Sequence, residues 1–483
     1  MKLGQTSIIV FLSKVFGSLL GFIATVYFAR ILGAEVLGIY SVIIALLGWL
    51  KMGGRVGINS AMIKRISEGK QQGEYFAAGG LLIGGMIVLV VGLVLIFQSQ
   101  IESYVSGFED YSSVSVVWFI VAIFLTFNFN MIVKIALKGQ RLVYIAGILN
   151  PLKIGIQSIV QILLVYAGYR LVGMLIGYGV GIIVAACIGA VFVSIQPKLP
   201  RRRHFRSLLE YAKYSWLSGL KSRAYNDVDI LILGVFVSQS LIGIYTVAWS
   251  ITRFLDVFGI AISQTMFPEI SNVSAQESNE AAVSLIEDAL TYAGFIIIPG
   301  LVGGILLGDR LLQIYSSEFV QGVDVLWLLL LSLLFYAYLK QFLNALNAID
   351  RPDLAFRANI VFIGCNIVLN LILIWQIGWV GAAIASALSA AGGLITAYGL
   401  IQRVVDVRVP ANEIGRQFAA ALTMGGVVWL LRTAIERTEI TDHNFVIVLS
   451  LVFVGAAVYG AMLLGISPNF RTTISRNLPF DVP

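Results

Sequence analysis

The sequence predicts an all-α polytopic membrane protein of fourteen transmembrane helices: two parallel six-helix repeats forming N and C lobes, then two C-terminal helices. Three observations carry this reading. The 483-residue chain is 58% hydrophobic and only 12% charged, and its mean hydropathy of +0.90 lies above that of water-soluble domains of this size. Apolar segments of about 20 residues, enough to cross a bilayer, are centred near residues 19, 48, 87, 125, 155, 183, 224, 254, 297, 335, 366, 391, 423 and 455. Short motifs also recur at nearly one offset: LGIYSV at 37–42 returns as IGIYTV at 242–247, and Asn150, Gln157 and Gln161 correspond to Asn359, Asn366 and Asn370. Several matches in order at one spacing mark an internal repeat.

The first span follows Lys2 and stays apolar to Leu32, too long for the hydrophobic part of a signal peptide, so it is expected to be retained. Each repeat has six spans, an even number, so both start on the same side and relate by an axis along the membrane normal. The expected boundaries are residues 1–196 for the N lobe, 197–209 for a basic linker, 210–403 for the C lobe, and 404–483 for the extra two spans with a short tail. Lys and Arg number 33 against 26 Asp and Glu. Only Arg30, Arg170, Arg310, Arg432 and Arg437 fall on the side opposite the linker, and the positive-inside rule makes the linker side cytoplasmic. Both termini are then cytoplasmic in a multi-pass cell-membrane protein, and residues 98–111, acidic without Lys or Arg, are external. The run PKLPRRRHFR at 197–206 reads as an orientation signal, not a nucleic-acid site. The connection 269–288 is acidic yet cytoplasmic, which the rule tolerates because Asp and Glu orient weakly. Cys187 and Cys365 read as small core residues and His204 and His443 as solvated; no metal or cofactor motif occurs.

Polar residues inside the spans form faces. Lys14, Ser18, Gly21 and Thr25 follow helical steps in the first span, and Asn150, Lys153, Gln157 and Gln161 do so in the fifth. The fourth carries Asn130, Lys134 and Lys138, and the tenth Lys340, Asn344 and Asn347. Such amides either join packed helices or line a polar cavity; the lysines favour the cavity, because a buried ammonium is costly. The ladder Gly173, Gly177 and Gly181 reads as close backbone approach. In GLKSRAYNDVDILIL at 219–233, Arg223 and Asp227 are four apart and can pair, as can Arg253 and Asp256, three apart, in the eighth span. Lys14, Lys153, Lys221, Arg223, Arg253 and Lys340 outnumber Asp227, Asp229 and Asp256, so the cavity should be net positive and its ligand anionic.

ILGAEVLGIYSV near the second span, NDVDILILGVFVSQSLIGIYTVAWS across the seventh and eighth, MFPEIS at 266–271 and LNAIDRPDLAFRANIVFIGCNIVLN at 346–370 resemble the polysaccharide transporter family of flippases, within the multidrug/oligosaccharidyl-lipid/polysaccharide exporter superfamily. The resemblance spans nearly the whole chain. It implies two six-helix bundles about a basic cavity, carrying a polyprenyl- or dolichyl-linked glycan from the cytoplasmic to the external face. Asp229 matches the acidic position before the Gly-Ile-Tyr motif, whereas Ser250 stands where many relatives are basic and Arg253 follows one turn later. The second half is similar to archaeal relatives serving protein glycosylation, without an extreme halophile's acidic surface.

The function expected is therefore a flippase, not an enzyme, moving a (pyro)phosphate-linked oligosaccharide by alternating access. Lys14, Arg55, Lys153, Arg223, Arg253 and Lys340 are its candidate phosphate contacts, and Asn150, Gln157, Gln161 and Asn344 its sugar contacts. Asp227, Asp229 and Asp256 are assigned to ion coupling or structure. Membrane lipids surround it, and a glycosyltransferase, oligosaccharyltransferase or polymerase is the expected partner class. The alternative is a cation-coupled multidrug antiporter of the same superfamily, which would favour acidic sites and twelve spans. A membrane glycosyltransferase using Asp227 and Asp229 as metal ligands ranks below both, since residues two apart on a helix diverge by about 200°.

Overall fold

Hydrocarbon offers no partner to an open backbone N–H or C=O, so a spanning chain must satisfy these groups within helices or a closed barrel. All regular structure among the described residues is helical. The computed structural model describes residues 3–53, 57–215, 228–438 and 443–477, with side chains in 20–51, 57–212, 228–437 and 443–472. Twelve of the described helices are long and apolar enough to cross a membrane. Two places account for the difference from the fourteen expected. The first two segments run on as one helix, α1 (Leu3–Gly53), interrupted at Gly33 with φ of 79°, a left-handed conformation that glycine adopts without steric penalty. The segment centred on residue 224 lies largely outside the described residues.

The chain forms two compact units, residues 1–243 and 244–483. After α1 the first contains α2 (Ile58–Ser67), α3 (Gln72–Ile96), α4 (Gln98–Tyr104), α5 (Val116–Gly139), α6 (Val143–Tyr166), α7 (Arg170–Ala190), α8 (Arg202–Ser215) and α9 (228–236). The glycine ladder sets the α6–α7 packing. A Cβ on Gly177 would lie 2.7 Å from the Gln161 backbone nitrogen, and one on Gly181 2.8 Å from the Gln157 Cα, so only hydrogen fits, as the sequence reading proposed. The recurring Gly-Ile-Tyr motif acts in the same way. A Cβ on Gly38 would fall 1.8 Å from the Gln239 carbonyl oxygen, and one on Gly243 1.9 Å from that of Ala34. Residues 34 and 239 are related by the same offset as 38 and 243, so within the first unit these matching positions pack on one another as in an isologous contact.

The basic linker is largely helical. On α8, Leu208 and Ala212 join Ile58, Met62 and Ile66 of α2 and Ala78 and Ile83 of α3 in one buried cluster, while Arg201, Arg202, Arg203 and Arg206 stay exposed. His204, expected in solvent, is 1% exposed. Its Nδ1 accepts from the Arg201 N–H at 2.9 Å, its Nε2 meets Gln71 Oε1 at 2.9 Å, and its ring stands edge-on to Tyr75. Amphipathic docking turns this position inward, which composition alone does not reveal. Cys187 also departs from expectation: it is exposed and Cys365 half-buried, so neither is a core residue.

The second unit begins within α10 (Gln239–Gln276), which continues through residues 269–276 of the expected 269–288 connection. It is followed by α11 (Val283–Gln313), a 3-10 turn (Ser317–Gly322), α12 (Val323–Ala348), α13 (Pro352–Ile377), α14 (Trp379–Ile401), α15 (Ala411–Thr438), α16 (Asn444–Ile466) and α17 (Pro468–Asn477). Helix α15 is fastened to α11 along its length. Gln417 donates to the Thr291 carbonyl at 2.8 Å, and Arg432 donates to both oxygens of Asp309 at 2.9 and 2.7 Å. Arg310 in turn pairs with Glu436 at 2.8 Å.

Candidate functional site

Inside the first unit, α1, α5, α6 and α7 bring cationic, amide and phenolic groups together. Lys51, in the last turn of α1, is 4% exposed. Its Nζ donates to Tyr178 Oη at 3.2 Å and lies 4.3 Å from the Phe127 ring centre and 5.2 Å from that of Tyr178. The Lys153 ammonium faces the same Tyr178 ring at 5.7 Å. One and two turns further along α6 stand Gln157 and Gln161, and Gln157 Nε2 donates to Gln161 Oε1 at 3.4 Å. Gln161 Nε2 donates to the Met174 carbonyl at 2.7 Å and to Tyr40 Oη at 3.1 Å. Gln161 thus joins helices, whereas Gln157 is half-buried beside the lysines. Asn130 also joins helices, donating to the Ile182 carbonyl at 3.3 Å, while Lys134 donates to Asn150 Oδ1 at 2.8 Å near the surface.

The second unit balances its charge. Lys340 donates to both Asp256 oxygens at 3.1 and 3.3 Å, with each side chain 16% exposed. This corrects the sequence reading, which paired Asp256 with Arg253. A residue three positions away is adjacent along one helix, but Lys340 of α12 reaches across to the inward face, while Arg253 is exposed. Lys340 is therefore not an uncompensated charge. Asn344 is half-buried, Asn366 and Asn370 are fully buried, and Asn370 donates to the Asn366 carbonyl at 2.8 Å. Asp229, on α9 of the first unit, is 4% exposed. Arg55, Lys221, Arg223 and Asp227 lie outside the described residues, as does the Lys14 side chain, so the Arg223–Asp227 pair is among those positions.

Sequence reasoning passed over Lys51, Tyr178 and Phe127. A lysine at the end of a span reads as a loop cation that reaches toward water, and a lone aromatic in an apolar run reads as core. The repeat held the missing signal: Lys51 lies 205 positions before Asp256, the offset that relates the Gly-Ile-Tyr motifs.

Membrane helices packed through small residues around buried ionisable groups define a polytopic membrane protein with a functional interior. Among solved structures, "Lipid II flippase MurJ, inward closed conformation" shares the fold, with a TM-score of 0.77 at 19% identity over 97% of this chain and 100% of that one. The family described as polysaccharide biosynthesis protein matches residues 3–274, and the chain belongs to it. Its relatives in Haloferax volcanii include "Probable flippase AglR", 33% identical over 99% of this chain and 98% of the relative. "Probable low-salt glycan biosynthesis flippase Agl15" is 30% identical over the full length of both.

Proposed function

We propose that this protein is a flippase that moves a polyprenyl- or dolichyl-(pyro)phosphate-linked oligosaccharide from the cytoplasmic to the external leaflet by alternating access, for glycoprotein or cell-surface polysaccharide assembly. The observation that carries the reading is the positively charged, amide-bearing interior of the first unit. An ammonium inside a bilayer protein is expensive unless it meets a polar or anionic partner, and a phosphoryl headgroup is such a partner. The full-length similarity to two chains named as flippases supports the same class.

In this reading Lys14, Arg55, Lys153, Arg223 and Arg253 contact the phosphates, Lys340 does so only on release from Asp256, and Asn150, Gln157, Gln161 and Asn344 contact the sugar hydroxyls. Asp227, Asp229 and Asp256 hold cations in place or exchange a coupling ion. The lipid tail stays in hydrocarbon throughout. Both termini and the basic linker face the cytoplasm, and a glycosyltransferase, oligosaccharyltransferase or polymerase acts on the delivered glycan. An inside-negative potential favours outward movement of each negative charge by ~2.3 kcal/mol per 100 mV, so transport should depend on potential.

The test is translocation of a lipid-linked oligosaccharide in vesicles reconstituted with the purified protein. Outward flipping should rise with an imposed potential, and Lys14→Ala, Arg253→Ala and Lys153→Ala should slow it while leaving folded protein. Unchanged flipping after collapse of the potential, with full activity in all three variants, would remove the electrical mechanism and these contacts together.

A further inference from the structure

We propose that α8 and the turn before it form a docking surface for anionic phospholipid headgroups of the adjoining leaflet. This surface is independent of the flippase reading, because it lies on the exposed side of the basic linker and not among the helices that would hold a cargo. Residues 197–212 carry five basic side chains, Lys198, Arg201, Arg202, Arg203 and Arg206, against one carboxylate, Glu210. All five are exposed. The helical period gives the reason. Leu208 and Ala212 pack into the cluster with α2 and α3, His204 is buried on the same side, and Arg202, Arg203 and Arg206 are thereby turned to the opposite side. Arg206 pairs with Glu210 at 2.8 Å, with both side chains in solvent, where such a pair holds its members weakly.

The backbone and side-chain contacts of this segment fix its depth. Helix α3 (Gln72–Ile96) is long and apolar enough to cross the membrane, so its first residues mark the edge of the hydrocarbon. The Lys198 N–H donates to the Gly73 carbonyl at 3.2 Å, and His204 Nε2 meets Gln71 Oε1 at 2.9 Å. Lys198 to Arg206 are therefore held level with the end of a span, at the depth of the phosphodiester groups. Apolar side chains stand among the cations: Leu199 is 94% and Leu209 50% exposed, and the exposed Tyr211 ring lies 4.9 Å from the Lys64 ammonium. One exposed leucine is ordinary. Leucines and a tyrosine interleaved with arginines at headgroup depth fit an interfacial helix, whose apolar chains enter the acyl boundary while its guanidinium groups bind phosphate oxygens. A nucleic acid or an acidic protein would match the charge but leave the leucines in water.

The experiment uses the full chain in neutral detergent and titrates phosphatidylglycerol and, in parallel, phosphatidylcholine, counting bound lipids by native mass spectrometry. The triple variant Arg202→Gln/Arg203→Gln/Arg206→Gln changes exposed positions, so its unfolding temperature should match that of wild type. Its affinity for phosphatidylglycerol should fall about tenfold or more, with phosphatidylcholine binding unchanged, and Arg202→Lys/Arg203→Lys/Arg206→Lys should retain most of it. Removing three exposed arginines of the second unit, Arg357→Gln/Arg403→Gln/Arg408→Gln, should change it far less, and added salt should weaken the wild type more than the first triple variant. Equal phosphatidylglycerol affinity in wild type and the α8 glutamine variant, or an equal loss from both glutamine triples, overturns the docking surface. Binding of a single-stranded oligonucleotide that the α8 variant loses while keeping its lipid affinity would also overturn it, and would assign the face to nucleic acid.

Discussion

The interior of the first unit and that of the second are built on one repeated helical frame, yet they treat buried charge in opposite ways. At the position represented by Lys51 and Asp256, one copy carries a cation packed on aromatic rings and the other an anion bonded to Lys340. In the second arrangement each ion compensates the other's charge. Duplication therefore conserves where a side chain projects, because that depends on helix packing, but a single substitution can decide which charge occupies the place.

Stranding a charge in the second unit should have the largest effect. Asp256→Ala leaves Lys340 without its carboxylate, and loss of one member of a buried pair typically costs about 3–5 kcal/mol; the residual exposure of both groups places this case near about 3. Thermal unfolding in nanodiscs should show the loss, and Asp256→Ala/Lys340→Met should recover most of it. If the single and double variants are equally stable, the pair is not the internal tie that distinguishes this unit.

The glycines of the repeated motif test whether the frame itself is symmetric. Gly38→Ala and Gly243→Ala each place a methyl group on a backbone carbonyl, and overpacking of this kind costs about 1–3 kcal/mol or more. The two variants should lose similar stability and yield of folded protein. A large effect at one and none at the other would break the equivalence of the two copies.

Lys51→Met sharpens the contrast further. It removes a cation whose contacts include a hydrogen bond to a neutral hydroxyl and two rings, while sparing the apolar packing, so stability should stay within about 1 kcal/mol of wild type. Thermal unfolding would check this, with flipping rate as the second readout. A loss as large as that of Asp256→Ala would make Lys51 a structural residue like its counterpart.

The smallest expected effect lies outside the spans, where a carboxylate is held by neutral donors in place of a lysine. Glu102 on α4 accepts from Ser115 Oγ and from Gln98 Nε2 at 2.9 Å, and these bonds hold its carboxyl below the usual range. A depressed folded-state pKa means that the contribution to stability is present above the unfolded-state value and disappears as the pH falls through the folded one. Ser115→Ala should flatten this acid-side slope in a pH series of unfolding temperatures; an unchanged slope would show that the bonds do not hold the carboxylate.

Helices, their approximate limits and the faces carrying lysine and amides could be read from the sequence, because hydropathy and the 3.6-residue period are local properties of the chain. The Gly173, Gly177 and Gly181 ladder was legible for the same reason: spacing of this kind has one main use between helices. Tertiary structure alone decided the partners. Asp256 has Arg253 three residues away and Lys340 on another helix 84 positions on, and the choice depends on which side chain the packing turns inward. His204 is polar in a basic run, yet the docking of Leu208 and Ala212 carries it into a buried contact with Gln71 and Tyr75. Lys51 ends an apolar run, where sequence cannot distinguish a cation reaching water from one folded back over Phe127 and Tyr178, because burial of an ionic group is set by neighbours brought from distant parts of the chain.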